Sequence, residues 1–336
     1  IPSSVHTIGD HAFSALYNLT DVIFEERTTL VSLGESVFSS CGKLTSFDFT
    51  YCSNIGRNAF YGCKSLTSIT LPDNLDITSG DGAFSYCSNL KTVNLSDNID
   101  TIPNHCFDSC TSLENIQTGK IKSIGDSAFS SCPSITSFDF SNCTYIGWRA
   151  FYGCTGLTSV TFSDNIDITI EGATFQDCTN LKTAKLPNNI TTIPNSCFRN
   201  CTSLESIQTG KIKKVGSKAF YSCENLTDIS FVKDNNISKV CESAFENCSK
   251  LTEIDLHNAQ YIYDSAFENC TSLTKVCLEG NTKLKSIGQR TFFGCTSLEA
   301  IDVPATCKTI DDEAFMNCES LYYVDIKSGL ETIGEK

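Results

Sequence analysis

A chain of 336 residues with 40% apolar side chains and a mean hydropathy of -0.09 has the material for a sizeable folded core. Its formal charge of -14, from 39 acids against 25 bases with no basic run, argues against nucleic acid or an anionic membrane surface as partner. No apolar stretch is long enough for a membrane-spanning helix, and no charged start followed by an apolar run marks a signal peptide.

The elements repeat from the first residues onward. Phenylalanines recur at Phe13, Phe38, Phe60, Phe84, Phe107, Phe129, Phe151, Phe175, Phe198, Phe220, Phe245, Phe267, Phe292 and Phe315, fourteen anchors spaced 22 to 25 residues apart. The pentapeptide Ala-Phe-Tyr-Gly-Cys stands at Ala59–Cys63 and again at Ala150–Cys154. Six residues after each anchor comes Leu, or Ile135 once; nine after is always apolar; eleven after is apolar except at Thr118 and Thr209. Five residues before each anchor lies Ile, Val or Leu, with Ser79 as the exception, and Gly often follows, as in Ile55-Gly56.

Each unit therefore carries about five inward positions, too few for a core of its own but enough if units stack. The L-x-x-I-x-L segment alternates as a strand does, and stacking pairs such strands in parallel. The Gly after the Ile serves a positive φ or a close backbone approach, and Pro72 ends its strand. The expected fold is an α/β-type repeat solenoid, a leucine-rich repeat array of about 14 coils. Its parallel β-sheet forms the concave face, with turns or short helices on the convex face. We expect residues 1–336 to form a single solenoid.

A second period overlies the first. Phe38, Phe129 and Phe220 are 91 residues apart, and "CTSLENIQTGKIKSIG" from Cys110 returns as "CTSLESIQTGKIKKVG" from Cys201. Four units were copied as a block. Ile1–Gly9 and Leu330–Lys336 read as partial units without polar caps, so we expect truncation within a repeat at both ends.

The pattern of an "LP" strand end, an "xxIG" corner and then "AFxxCxxLxxI" resembles the BspA-like (Treponema pallidum type) leucine-rich repeat family over nearly the whole chain. The resemblance implies a surface protein of the kind found in anaerobic bacteria and in protists such as trichomonads and amoebae. It implies non-enzymatic adhesion to host cells or to extracellular matrix proteins. The Asn- and Ser/Thr-rich composition is closer to the protist versions.

Of the 20 cysteines, thirteen sit three residues after an anchor, from Cys41 to Cys318, and Leu16 holds that place in the first unit. Leucine there can only pack. A row of sulfurs, one per coil, cannot build a tetrahedral metal site, and four histidines cannot serve thirteen nucleophiles. Neighbouring coils are close enough for disulfides, yet thirteen is odd. A row of free thiols packed as small hydrophobes is the expectation, with scattered disulfides left open. Cys277 falls on an outward strand position and is the most accessible candidate. The run His105–Cys110 looks like a metal or redox motif, but its copy at Ser196–Cys201 lacks the His, and no metal, cofactor or catalytic motif is expected. Nine N-x-S/T sequons, among them Asn18, Asn94, Asn142, Asn189 and Asn225, are mostly repeat inheritance; those at Asn200 and Asn247 are crowded by a row cysteine.

The outward strand positions, eight and ten residues after each anchor, hold mainly short polar residues such as Ser46, Asp48, Ser68, Thr70 and Asp139. Toward the C-terminus they become Asp228, Glu253, Asp255, Lys275, Asp302, Tyr323 and Asp325, with Tyr322 alongside. This is either a solvated strand face or an acidic and aromatic contact patch for a basic protein partner. Two function classes stand: a cell-surface or secreted adhesion module with its signal or anchor outside this segment, and a cytoplasmic protein-interaction scaffold, in which reduced cysteines are ordinary.

Overall fold

The segment following the anchor phenylalanine forms the expected strand in ten coils. It does not after Phe13, Phe38 or Phe129, where phenylalanines stand at the inward positions as Phe24, Phe47, Phe49, Phe138 and Phe140, and the segment after Phe220 lies largely outside the described residues. The computed structural model describes residues 1–117, 120–164, 166–227, 229 and 237–335. The array is a parallel β-solenoid of about 14 turns. Its contacts divide it into two units, Ile1–Leu157 with Ile168–Ile170, and Thr158–Asp167 with Glu171–Lys336.

In the first unit the expected strands are Ser68–Leu71, Thr92–Leu95 and Asn115–Ile116, paired in parallel so that Ile69 meets Val93 and Val93 meets Ile116. In the second they form a set Ser159–Thr161, Thr183–Lys185 and Ser206–Gln208, and a set Glu253–Asp255, Lys275–Cys277, Ala300–Val303 and Tyr323–Ile326. The apolar position of alternating pairs points inward: Ile69, Val93, Val160, Ile254 and Ile301 are all buried.

A second ladder, not expected as strand, runs through the corner before each Gly. Two-residue strands such as Thr101–Ile102, Ser123–Ile124 and Tyr145–Ile146 pair in parallel in the first unit, and seven of them from Thr192–Ile193 to Thr332–Ile333 do so in the second. The inward Ile or Val is held by its neighbours above and below. Where Ser79 replaces the Ile, the first unit's ladder is interrupted, Ile77 is buried instead, and an isolated bridge joins Asn54 to Asp76. The corner glycines serve close approach. A Cβ on Gly147 would stand 2.5 Å from Asp126 Oδ1, and one on Gly56 would stand 2.5 Å from the Gly34 carbonyl carbon.

Between the two ladders the chain is all turn. Among the described residues the only helix is the three-residue 3-10 turn Phe49–Tyr51, so the expected turns or short helices are turns. The reason lies in the backbone around each anchor. The residues two before and two after it are left-handed in all fourteen coils, as at Asn58 (φ 53°) and Gly62 (φ 68°) around Phe60. A helix cannot pass through such positions. Amide hydrogens alternate in consequence. Those of Asn58, Phe60 and Gly62 donate to the carbonyls of Asp81, Ala83 and Ser85 in the next coil, while those of Ala59, Tyr61 and Cys63 close turns onto Gly56, Asn58 and Phe60. The repeated pentapeptide thus satisfies every backbone donor in the segment.

The anchor rings stack. From Phe13 to Phe151 and from Phe175 to Phe315 successive centroids lie 5.2 to 5.7 Å apart, with neighbouring planes within 22°. Offset stacking at this distance is favourable beyond burial alone. Thr209, at a normally apolar strand position, is buried with its Oγ1 lacking a hydrogen-bond partner, and Thr118 lies outside the described residues.

Candidate functional site

Strand pleating decides which residues of the C-terminal patch share a face. On the four-stranded sheet of the second unit, Glu253, Lys275, Ala300 and Tyr323 form one outward row. Asp255 pairs with Cys277 in the next row, and Asp302 pairs with Asp325. Glu253, Asp255 and Asp302 are exposed, as are Tyr322 (79%) and Tyr323 (49%), while Asp325 is half-buried. The structure therefore gathers six of the seven residues singled out in the sequence onto or beside one sheet face. Asp228 lies outside the described residues.

Their chemistry is not uniform. Asp255 Oδ1 accepts the backbone N–H of His257 at 3.1 Å and lies 2.8 Å from that residue's Nδ1. Asp48 and Asp139 make the same short loop to the amides of Thr50 and Ser141. Asp255 is thus a strand-end turn residue like its upstream counterparts. Asp325 receives Lys327 Nζ and the Tyr323 hydroxyl. Glu253 sits in register with Lys275, and Asp302 is exposed beside the acid pair's second member. The free negative character of the patch rests mainly on Glu253 and Asp302, with Tyr322 and Tyr323 supplying apolar area.

The thiol row is buried and it also donates. Sγ of Cys41, Cys63, Cys87, Cys110, Cys132 and Cys154 in the first unit each lies 3.1 to 3.2 Å from the anchor carbonyl of the preceding coil. Cys201, Cys223, Cys248, Cys270, Cys295 and Cys318 do the same in the second unit, at 3.0 to 3.2 Å. Each row cysteine is therefore a small apolar side chain with a donor that finds a carbonyl. Leu16 is 44% exposed, so its place in the register does not itself show packing. All 20 cysteines are free, and only Cys241, Cys277 and Cys318 are partly open to solvent. Burial pushes Cys87 and Cys154 up to about 12, with hydrogen bonding from the neighbouring coil opposing it. Thiols held this firmly protonated are poor nucleophiles and poor metal ligands.

Among the described residues no three His, Cys, Asp or Glu side chains group as metal ligands. His105 is exposed, with Nδ1 3.8 Å from Asp108. Asn200 is tied to Asp177 and Asn269 to Asn247 across coils, in keeping with the crowding expected beside row cysteines. No helix of the described residues is long and apolar enough to cross a membrane.

The family profile described as BspA type Leucine rich repeat region (6 copies) matches residues 1–114, 32–147, 122–236, 168–282 and 213–336. The chain belongs to the BspA type leucine-rich repeat family. Among solved structures, this BspA type chain is similar to a leucine-rich repeat protein from Bacteroides ovatus, at 26% identity and a TM-score of 0.60 over 84% of this chain and 79% of that one. It is also similar to a leucine rich cell surface protein from Faecalibacterium prausnitzii, at 23% identity and a TM-score of 0.48 over 97% and 78%. A T. pallidum leucine-rich repeat protein matches at 23% identity and a TM-score of 0.38 over 66% and 83%. No curated protein matches the chain. A BspA type array is a non-catalytic scaffold for protein binding.

Proposed function

We propose that this BspA type chain is a cell-surface adhesion and recognition module, binding a host cell or extracellular matrix protein through the outward face of its second unit's four-stranded sheet. The observation that carries it is the gathering of Glu253, Asp302 and Tyr323 on one exposed face with Tyr322 beside it, where the corresponding upstream rows offer Ser68, Thr70, Ser159 and Thr161. Tyrosine and unpaired charge are favoured means of recognition, and short hydroxyl side chains give a partner little to hold. Localisation is tested by labelling intact cells with an antibody to this segment. Staining only after permeabilisation overturns the surface reading.

The thiols favour a second reading, an intracellular protein-interaction scaffold. Twenty free cysteines, most of them buried, are ordinary in a reducing compartment and unusual outside one. Solid-phase binding to matrix proteins separates the two, since a scaffold has no reason to hold them.

A further inference from the structure

The strongest departure between the duplicated blocks is one of charge. In the first unit Lys120 is ion-paired with Asp97 at 2.5 Å, and Lys122 with Asp100 at 3.0 Å. The corresponding lysines 91 residues later are Lys211 and Lys213, but the positions of the two acids hold Asn188 and Thr191. A further lysine, Lys214, replaces Ser123, and Lys239 follows it in the next coil. The outward row of the corner ladder thus reads Thr101, Ser123, Tyr145 and Thr169 in the first unit, and Thr192, Lys214, Lys239 and Tyr261 in the second.

Lys214 and Lys239 are directly in register on adjacent parallel strands. Like charges so placed repel. Lys211, Lys213, Lys214 and Lys239 are all exposed, and no ion pair joins any of them to an acid among the described residues. Lys239 Nζ lies 5.6 Å from the Tyr261 ring, whose plane is within 20° of Tyr263 at 5.8 Å. Tyr263 is 41% exposed. Exposed ammonium groups with no ion pair among the described residues therefore stand beside an open aromatic pair, in a chain whose net charge is -14.

We infer that this face, on the corner ladder and apart from the acidic strand face, binds an acidic polysaccharide bearing carboxylate or sulfate groups. Lys211, Lys213, Lys214 and Lys239 meet the anionic groups, and Tyr261 with Tyr263 receives the apolar face of a neighbouring sugar ring. A chain in which charged groups alternate with uncharged ring faces matches lysines followed by tyrosines. A nucleic acid asks for a long continuous phosphate track, and here Tyr261 and Tyr263 separate the four lysines from Lys285 in the next coil.

Heparin is the probe, with single-stranded DNA and neutral dextran for comparison, and the full chain is titrated at several salt concentrations. We expect heparin to bind, dextran not to, and affinity to fall with salt. Lys214→Gln with Lys239→Gln should weaken heparin binding about tenfold or more and flatten the salt dependence by roughly one unit of slope for each lysine. Lys120→Gln with Lys122→Gln should leave binding unchanged, and Tyr261→Ala should weaken it where Tyr261→Phe does not. The four lysines are exposed, and circular dichroism checks that each variant is folded. Absence of heparin binding, equal losses in the two lysine pairs, or tighter binding of DNA than of heparin at the same salt overturns the inference.

Discussion

Sγ of Cys110 donates to the carbonyl oxygen of Phe84, one coil earlier, at 3.1 Å, and the same carbonyl accepts the N–H of Cys87 at 3.2 Å. One acceptor ties a turn within its coil and a thiol from the next. Replacing Cys110 with Ala removes one hydrogen bond and some packed volume but leaves the carbonyl its amide partner. Denaturant unfolding should show a loss of about 1 to 2 kcal/mol. A loss near zero would mean the thiol contributes nothing beyond space.

Thiol reagents should find very few groups in the native protein. Only Cys241, Cys277 and Cys318 are partly exposed, and the remaining seventeen are buried. Titration before denaturation should therefore count no more than these three, and titration in denaturant should count all 20. Mass spectrometry of unreduced peptides that shows sequential pairing along the row would contradict the fold.

The same burial makes stability depend on alkaline pH. Desolvation holds Cys87 and Cys154 at about 12 and Cys318 at about 11, against about 8.5 for an unfolded thiol. Above the unfolded value the native state binds more protons than the unfolded state, so stability falls as pH rises. The contribution is complete below pH about 8.5 and is lost progressively toward about 12. Urea midpoints measured from pH 7 to 11 should be level at first and then decline, and a flat profile across that range would refute the thiol assignment.

The phenylalanine column predicts a positional contrast. Phe107 is fully buried and stacked on both sides, by Phe84 and Phe129, whereas Phe13 is half-buried and stacked only on Phe38. Phe107→Ala should cost about 3 to 5 kcal/mol. Phe13→Ala should cost clearly less, and equal midpoints for the two variants would remove the stack from the account of stability.

Within the acidic strand face, the residues should differ in effect. Glu253→Gln with Asp302→Asn should reduce binding to a matrix protein several-fold, chiefly through a slower on-rate, with an effect that fades as salt is added. Asp255→Asn should do less, because asparagine can still accept from the His257 amide. Surface plasmon resonance at two ionic strengths reads both rate constants. Equal losses for Asp139→Asn would move the contact elsewhere on the array.

The coils were legible because their inward residues recur at fixed offsets, and the strands because Ile69 and Leu71 alternate with Ser68 and Thr70. The corner ladder was not, since a strand of two residues shows no alternation. Nor were the left-handed turns. Their positions are mostly Ser, Asn or Gly, residues that suit such a backbone, but Arg149, Tyr86 and Lys218 among them blur that trace. The thiol's donor role was hidden because a buried S–H looks apolar until its acceptor is placed. In the acidic face the residue types were readable and their partners were not: Asp255 and Asp302 are the same residue in the same row, and only the fold shows that one closes a turn.

The alternation of amide hydrogens around each anchor has a genetic consequence. From the Phe13 coil to the Phe129 coil, and again from the Phe175 coil to the Phe292 coil, each coil offers its successor the same three donors and takes from it the same three acceptors. A slip of 91 codons between the stretches encoding Phe107 and Phe198 rejoins a coil to a neighbour with matching backbone partners. Gene copies of this array can therefore lengthen or shorten by unequal crossing-over and still encode a closed hydrogen-bond network, with the lysine-rich block free to diverge from its parent.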